Sequence, residues 1–244
     1  MENKDWFETW FDSPYYHVLY KDRDEKEANL FIQNLVVRLN LERGLKILDL
    51  ACGRGRHAKV LNEMGFDVRG VDLSESSVAF AKQYESETLT FGVHDMREEV
   101  ATNHFDLVLN LFTSFGYFNN KLDNIKVLKS VKKSLRPSGK FLLDFMNCNK
   151  LNSSDEGKEE KLIDGIKFFI SKEIKNNCVI KTIEFETIGN KHHFEEKVSV
   201  LKFDEMLSLF DAAELNVVDV YGDYHFNPYL PSESDRLIIL AEKT

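Results

Sequence analysis

Two glycines separate a short apolar run from a polar one in the stretch ILDLACGRGRHA, residues 47–58. The apolar run is typical of a buried parallel strand, and the apolar positions from His57 onward have helical spacing. Glycine at 53 and 55 lets the backbone approach a ligand closely, because there is no Cβ to collide with it. The turn therefore predicts a nucleotide-like ligand. Gly53, Gly55 and Ala58 fit a loose G-x-G-x-x-A pattern that several cofactors share.

Carboxylates stand at the ends of the first three predicted strands. Asp49 lies in strand one just before the turn, Asp72 ends VRGVD, and Asp95 follows LTFGV. Asp49 disfavours a pyrophosphate and favours a cationic ligand, whereas Asp72 can accept hydrogen bonds from two ribose hydroxyls. Asp95 can accept from an adenine amino group while Met96 covers the ring. Together these acids favour a cation that carries an adenosine.

Alternating strands and helices must position these residues. The strands are predicted at LKILDLA, FDVRGVDLS, LTFGVHDM, HFDLVLNLF and KFLLDFMN, with helices at 25–40 and 121–135. Asp24 and Glu27 form a capping box for the first of these helices. Such alternation indicates an α/β fold with a doubly wound parallel sheet, whose ligands bind at the carboxyl ends of the strands.

The pattern changes after strand five. Residues 151–160 are polar and are expected to be mobile, and three runs of period two follow: IKFFISKEIK, CVIKTIEFET and HHFEEKVSVL. Turn signals separate the runs, which predicts an inserted antiparallel meander. NVVDVYGDY and RLIILAEK then predict a terminal antiparallel pair at the sheet edge. The expected division is an arm and core at 1–150, an insertion that covers the substrate at 151–201, and a completion of the core at 202–244.

Composition excludes several classes of protein. The 244 residues carry a net charge of −9, which disfavours a nucleic-acid partner. The acidic start MENKDWFETW does not resemble a signal peptide, and no apolar run is long enough for a membrane span. Three cysteines without CxxC spacing favour a reduced, cytoplasmic protein without a zinc site. His192 and His193 are neighbours on a strand and so face opposite sides, which makes them a poor metal site. A monomer or a homodimer is expected.

Five segments carry a family resemblance. LDLACGRGRHA, VRGVDLS, HDMRE, FDLVLNLFTSFGYF and LRPSGKFLLDF stand in the order and spacing of the class I S-adenosylmethionine-dependent methyltransferases. The similarity covers nearly the whole chain. The insertion and the aromatic arm WFETWFDSPYYHVLY resemble the branch that includes glycine N-methyltransferase and the amino-sugar N,N-dimethyltransferases. The resemblance implies a Rossmann-like seven-stranded sheet, S-adenosylmethionine as cofactor, S-adenosylhomocysteine as product, and a small molecule methylated on nitrogen or oxygen.

The resemblance also implies roles for individual residues. Asp49 would lie near the amino group of the methionine moiety and Asp72 would bind the ribose. Asp95 would meet the adenine amino group. The other expected cofactor contacts are Leu73 and Met96 beside the adenine, Ala51, Gly53 and Gly55 in the turn, Asn110, Leu111 and Phe112 at the end of strand four, and Tyr20 and Arg23 in the arm.

The sequence does not demand a catalytic side chain, because the cofactor already carries an activated methyl group. A general base is needed only if the acceptor arrives protonated, and the candidates are His225 and Tyr20. Strand four ends in Asn110-Leu111-Phe112-Thr113, without the Pro-Pro-Tyr set of enzymes that methylate nucleobase amines. The alternatives are a nicotinamide-dependent oxidoreductase, a non-catalytic S-adenosylmethionine-binding protein and a protein methyltransferase.

Overall fold

The computed structural model describes residues 5–21, 25–118, 120–152 and 155–244. Seven α-helices and eleven strands are assigned in these ranges. The helices are α1 Trp6–Trp10, α2 Pro14–Leu19, α3 Glu25–Leu39, α4 Arg56–Glu63, α5 Glu75–Ala81, α6 Lys121–Ser134 and α7 Phe203–Ala212. The strands are β1 Lys46–Leu50, β2 Asp67–Asp72, β3 Leu89–Val93, β4 Phe105–Asn110, β5 Leu135–Met146, β6 Gly157–Ile163, β7 Ile166–Lys175, β8 Cys178–Thr187, β9 Asn190–Ser199, β10 Asn216–Tyr221 and β11 Arg236–Glu242.

The chain divides into two compact units. The smaller unit comprises residues 1–24, 116–119 and 151–200, and the larger one comprises 25–115, 120–150 and 201–244. The N-terminal arm and the insertion thus fall in one unit. The division at 150 and 201 that we expect from the sequence stays a prediction.

The larger unit is built on a seven-stranded sheet in the order β10-β11-β5-β4-β1-β2-β3. The five strands from β1 to β5 are parallel, whereas β11 runs antiparallel to β5 and β10 antiparallel to β11. This confirms the predicted fold class and the terminal antiparallel pair. The parallel strands bring the ends of β1, β2 and β4 to the same edge of the sheet.

Local sequence explains the helices that flank this sheet. The buried residues of α4 are His57, Ala58, Val60 and Leu61, which form its inner face. The Ser74 hydroxyl caps α5 by accepting from the backbone N–H of Ser77 at 3.1 Å. The helices predicted at 25–40 and 121–135 are confirmed as α3 and α6, but Asp24 of the predicted capping box lies outside the described residues.

The smaller unit contains a four-stranded antiparallel sheet in the order β6-β7-β8-β9. Its apolar core combines the arm with the sheet, and the fully buried members are Trp10, Phe168 and Ile183. The three predicted runs are confirmed as β7, β8 and β9. The expectation of a mobile segment at 151–160 is wrong for residues 157–160, which lie in β6. Six of the seven residues of β6 are exposed, so its sequence lacks the apolar alternation that predicts a strand.

Candidate active site at the edge of the parallel sheet

The glycine turn between β1 and α4 requires unusual backbone angles. Ala51, Gly53 and Gly55 have φ values of +62°, +55° and +79°. A Cβ on Gly55 would lie 2.6 Å from the ring of Phe91, whereas a Cβ on Gly53 would meet no atom within 4 Å. Gly55 is therefore required by the packing of the protein itself. Gly53 leaves open space at the turn, as a closely approaching ligand would need.

Asp72 fixes this turn to the end of β2. Its carboxylate accepts from the backbone N–H of Gly53 at 2.8 Å and from that of Ser74 at 2.9 Å. One carboxylate thus joins the glycine turn to the start of α5. Leu73 is half-buried beside it.

Three buried polar atoms around the turn have no hydrogen-bond partner among the described residues: Asp49 Oδ2, His57 Nε2 and Asn110 Oδ1. The amide of Asn110 donates to the carbonyl of Leu50 at 3.1 Å, which holds this residue beside the end of β1. A buried polar atom without a partner costs about 1–3 kcal/mol. Because the Asp49 and Asn110 atoms are both acceptors, a ligand that donates hydrogen bonds fits this place.

Burial also changes the acidity of these groups. The pKa of Asp49 is raised to about 7 by burial and by the negative charge of Asp72, against a smaller opposing effect of the Ala58 backbone and Arg56. The pKa of His57 is lowered to about 3 by burial and by the neighbouring Arg56 charge. His57 is therefore a neutral hydrogen-bonding group. Asp49 is half-ionised near neutral pH, and a cation beside it would complete its ionisation.

Asp95 is already paired with Arg97. Its carboxylate accepts from the backbone N–H of Arg97 at 2.8 Å and from the guanidinium Nη2 at 2.5 Å. Burial raises the pKa of Asp95, but the hydrogen bonds from Arg97 outweigh this and hold the pKa below its usual value. An adenine amino group would therefore share this carboxylate with Arg97. Met96 is half-buried next to it, and its carbonyl accepts from Ser130 Oγ of α6 at 2.7 Å.

The end of β4 meets the first turn of α4 through one aromatic ring. The ring of Phe112 lies 5.1 Å from that of His57, and the guanidinium of Arg56 lies 4.6 Å from the Phe112 centroid. On another side it stacks on Tyr224 at 5.6 Å. Leu111 is buried beside it. The structure thus brings together the residues predicted at the ends of β1 and β4.

The two catalytic candidates are Tyr20 and His225. Tyr20 belongs to the smaller unit, where its hydroxyl donates to Glu196 Oε1 at 2.7 Å and accepts from Lys181 Nζ at 2.5 Å. His225 is exposed, and its neighbour Tyr224 is the residue that packs on Phe112. Arg23 lies outside the described residues. The cofactor contacts predicted for Tyr20 and Arg23, and the role of a base for His225 or Tyr20, stay predictions.

Sequence reasoning missed Asp144, which is fully buried beneath the loop after β4. It accepts from Arg236 Nε at 2.7 Å and from the backbone N–H of Phe112 at 2.9 Å. One signal could have found it, since an aspartate inside the apolar run KFLLDFMN needs a buried partner.

The described ranges offer neither a metal site nor a membrane-spanning helix. No group of three or more His, Cys, Asp or Glu side chains in these ranges could hold a metal ion. None of the helices found there is both long and apolar enough to cross a membrane.

A doubly wound sheet with a glycine turn, and with acids at the carboxyl ends of its strands, defines a Rossmann-like protein. Within this class, residues 47–139 match a family model described as a methyltransferase domain. The matched segment contains the glycine turn, Asp49, Asp72, Asp95 and the end of β4.

Curated relatives are of the same kind. A putative methyltransferase of Bacillus subtilis, YqeM, is 41% identical over 113 residues, which are 45% of each chain. A glycine/sarcosine N-methyltransferase of Halorhodospira halochloris is 25% identical over 233 residues, 92% of this chain and 83% of the relative. The chain spans about half the length of the first curated relatives that it matches, 45% and 58%.

Solved structures share the fold. An S-adenosylmethionine-dependent methyltransferase from Clostridium acetobutylicum superposes with a TM-score of 0.78 at 22% identity, over 93% of this chain and 95% of the other. DesVI of Streptomyces venezuelae gives a TM-score of 0.71 at 20% identity, over 94% and 97%. These structures show the shared fold, while the domain match and the curated relatives confirm the predicted resemblance to S-adenosylmethionine-dependent methyltransferases. The predicted cofactor agrees with the class of these proteins.

Proposed function

We propose that this protein is an enzyme that transfers the methyl group of S-adenosylmethionine to a nitrogen or oxygen atom of a small molecule. One observation carries the proposal: the buried acceptors Asp49 Oδ2 and Asn110 Oδ1 are left without partners beside an open glycine turn. The cofactor presents a donor of the matching kind, its ammonium group. We place the reaction in the cytoplasm because of the cysteine pattern.

Relatives with small-molecule names support this class of substrate. They include glycine/sarcosine N-methyltransferases, ubiquinone biosynthesis O-methyltransferases and a dTDP-amino-sugar N,N-dimethyltransferase. These names cover both nitrogen and oxygen acceptors. We favour nitrogen slightly, because the chain matches a glycine/sarcosine N-methyltransferase over most of its length.

The residues of this chain bind and orient rather than react. S-adenosylmethionine supplies an activated methyl group, so positioning and exclusion of water are what the protein has to contribute. Asp49 and Asn110 would accept from the cofactor's ammonium group, and Asp72 from its ribose hydroxyls. Gly53 leaves room for the cofactor to approach the backbone. Phe112 would form an apolar wall beside the reacting centre.

The adenine end would lie at the ends of β2 and β3. Leu73 and Met96 would flank the ring, and Asp95 would accept from the amino group with the lone pairs that Arg97 leaves available. The Asp95 carboxylate stays ionised because its pKa is held low, so its hydrogen bond with the adenine amino group would be charge-assisted.

The first test is titration calorimetry with S-adenosylhomocysteine and, separately, with NADH. We expect only S-adenosylhomocysteine to bind, and we expect Asp72→Ala to weaken it by about 1.5–3 kcal/mol through loss of a charge-assisted contact. Asp67→Ala, at the opposite end of β2, is the matched control and should bind normally. Binding of NADH alone would establish the nicotinamide-dependent alternative instead.

The second test separates an enzyme from a non-catalytic binder. Methyl-labelled S-adenosylmethionine is incubated with a panel of amines, amino acids, amino sugars and phenols, and the labelled products are counted. We expect at least one labelled small molecule, which Asp72→Ala should abolish at limiting cofactor. Tight cofactor binding without any acceptor would favour the non-catalytic protein, and label on peptides alone would favour a protein methyltransferase.

A further inference from the structure

Two consecutive residues after β4 have a backbone conformation that is costly for them. Phe112 and Thr113 have φ values of +57° and +64°, in the left-handed region. For a residue with a Cβ this conformation costs about 1–2 kcal/mol. Such a pair persists only where the surrounding structure fixes it, and it is commonly found at functional sites.

Asp144 fixes both residues. Its carboxylate oxygen Oδ2 accepts from the backbone N–H of Phe112 at 2.9 Å, and its backbone carbonyl accepts from the N–H of Thr113 at 2.9 Å. Arg236 closes the arrangement, because Nε donates to Asp144 Oδ1 at 2.7 Å and Nη2 donates to Thr113 Oγ1 at 2.9 Å. We call Asp144, Arg236 and Thr113 the brace.

The ion pair of the brace is largely shielded from water. Asp144 is 0% exposed and the Arg236 side chain 20% exposed. The ion pair raises the pKa of Arg236 against the opposing effect of burial, which keeps the guanidinium charged. Removal of one partner from such a pair leaves a buried group without its counterpart, which is strongly destabilising.

The brace also controls an aromatic side chain. Tyr224 donates from its hydroxyl to Asp144 Oδ2 at 3.2 Å while its ring stacks on Phe112. Besides Tyr224, the Phe112 ring contacts His57 and Arg56 in the first turn of α4. The position of the Phe112 backbone therefore decides whether its ring reaches the glycine turn.

We propose that Asp144, Arg236 and Thr113 are positioning residues, which hold Phe112 against the first turn of α4 and thereby set the shape of the cofactor site. The inference rests on the proposed function, because S-adenosylhomocysteine is the probe for that site. It adds residues in β5, in β11 and after β4 that would determine cofactor affinity without touching the cofactor.

The test replaces the Thr113 hydroxyl. Thr113→Val keeps the shape of the side chain but removes the acceptor of Arg236 Nη2, and Thr113→Ser keeps the acceptor. We expect Thr113→Val to weaken S-adenosylhomocysteine binding about tenfold, the loss typical of a hydrogen bond to a charged group. Thr113→Ser should bind within about twofold of wild type. Thr90→Val, at an exposed position of β3, is the matched control.

A second readout needs no ligand. Hydrogen exchange of the Phe112 and Thr113 amides should become faster in ligand-free Thr113→Val, and it should stay at the wild-type rate in Thr113→Ser and Thr90→Val. Should Thr113→Val fail to fold, Tyr224→Phe takes its place, since it removes one donor to Asp144 and keeps the ring. Its expected loss of affinity is then the deciding result.

The outcomes separate this inference from the proposed function. Wild-type protein that does not bind S-adenosylhomocysteine contradicts the proposed function, whatever the variants do. If wild-type protein binds S-adenosylhomocysteine, and Thr113→Val has the same affinity and the same amide exchange as wild type, the positioning role of the brace is wrong and the proposed function stands. An equal loss in Thr113→Ser overturns that role as well, because the hydroxyl would then be irrelevant.

Discussion

Asp49 illustrates how a single residue can report on its ligand. Burial and the Asp72 charge raise its pKa to about 7 from an ordinary value of 3.8. The unfolded chain ionises this carboxyl near its ordinary value, so its contribution to the stability of the ligand-free protein is present at low pH. That contribution is lost as the pH rises towards 7. An ammonium group beside the carboxylate reverses this, because it stabilises the ionised form.

We expect the affinity for S-adenosylhomocysteine to rise about tenfold between pH 6 and pH 8, as Asp49 becomes ionised before binding. Calorimetry in buffers of different ionisation enthalpy should show proton release on binding at pH 6 and little at pH 8. Asp49→Asn should bind more weakly and without this pH dependence, whereas Asp67→Asn should retain it. A flat wild-type profile would mean that Asp49 does not meet the ammonium group.

The positions of polar residues could be predicted where they stand at a strand end, while their roles towards a cofactor stay predictions. Asp49 and Asp72 stand at the ends of strands, and the structure places both beside the glycine turn. Asp144 and Arg236 could not be paired in this way, since 92 residues separate them along the chain. Their contact depends on β11 lying next to β5, which is a property of the folded sheet. For Tyr20 the sequence predicts a contact with the cofactor. The structure gives its hydroxyl two protein partners, Glu196 and Lys181, and the predicted contact stays a prediction.

At the scale of elements, the two glycines of the glycine turn differ in the space around them. Gly55 is confined by Phe91, while Gly53 faces open space. Both have positive φ values, so an added methyl group strains the backbone in either case. Only at Gly55 does it also collide with the core.

We expect Gly55→Ala to lower the free energy of unfolding by about 2–4 kcal/mol, because overpacking adds to backbone strain. Gly53→Ala should lower it by only about 1–2 kcal/mol, the cost of the left-handed conformation. Binding should show a separate effect, since Gly53→Ala should weaken S-adenosylhomocysteine by about 1–3 kcal/mol where the methyl group meets the ligand. Urea denaturation and calorimetry measure the two effects. Equal stability losses in the two variants would contradict this assignment.

The strands that the sequence predicted are those with apolar runs or apolar alternation, as in the buried strands β1 and β4. β7 and β8 contain buried residues between more exposed ones, β9 has only half-buried and exposed residues, and the positions of all three were predicted closely. β6 pairs with β7, but six of its seven residues are exposed, so apolar periodicity could not find it. The start of β5 at Leu135 was missed for another reason. Pro137 and Gly139 signal a turn, but Leu135 already pairs with Phe105 of β4, and after a register shift the pairing continues at Lys140.

At the scale of the whole molecule, charge restricts the choice of partner. The chain has 41 acidic and 32 basic side chains, a net charge of −9. Several lysines are already paired with carboxylates, as in Lys132–Glu214 and Lys150–Asp235. A nucleic acid binds a protein tightly when lysine and arginine side chains displace the counterions condensed on its phosphates. An acidic protein has few such side chains in excess, so it gains little affinity in this way.

We therefore expect no binding to duplex DNA or to transfer RNA at low ionic strength, the condition that most favours such complexes. Fluorescence anisotropy of labelled nucleic acids measures this directly. S-adenosylhomocysteine titrated in the same buffer shows that the protein sample is competent. The physical reason is long-range repulsion, so the absence of binding should not depend on nucleotide sequence. Binding that weakens steeply with added salt would contradict this prediction, because it would reveal a local basic surface that outweighs the net charge. Nucleic acid would then again be a candidate methyl acceptor.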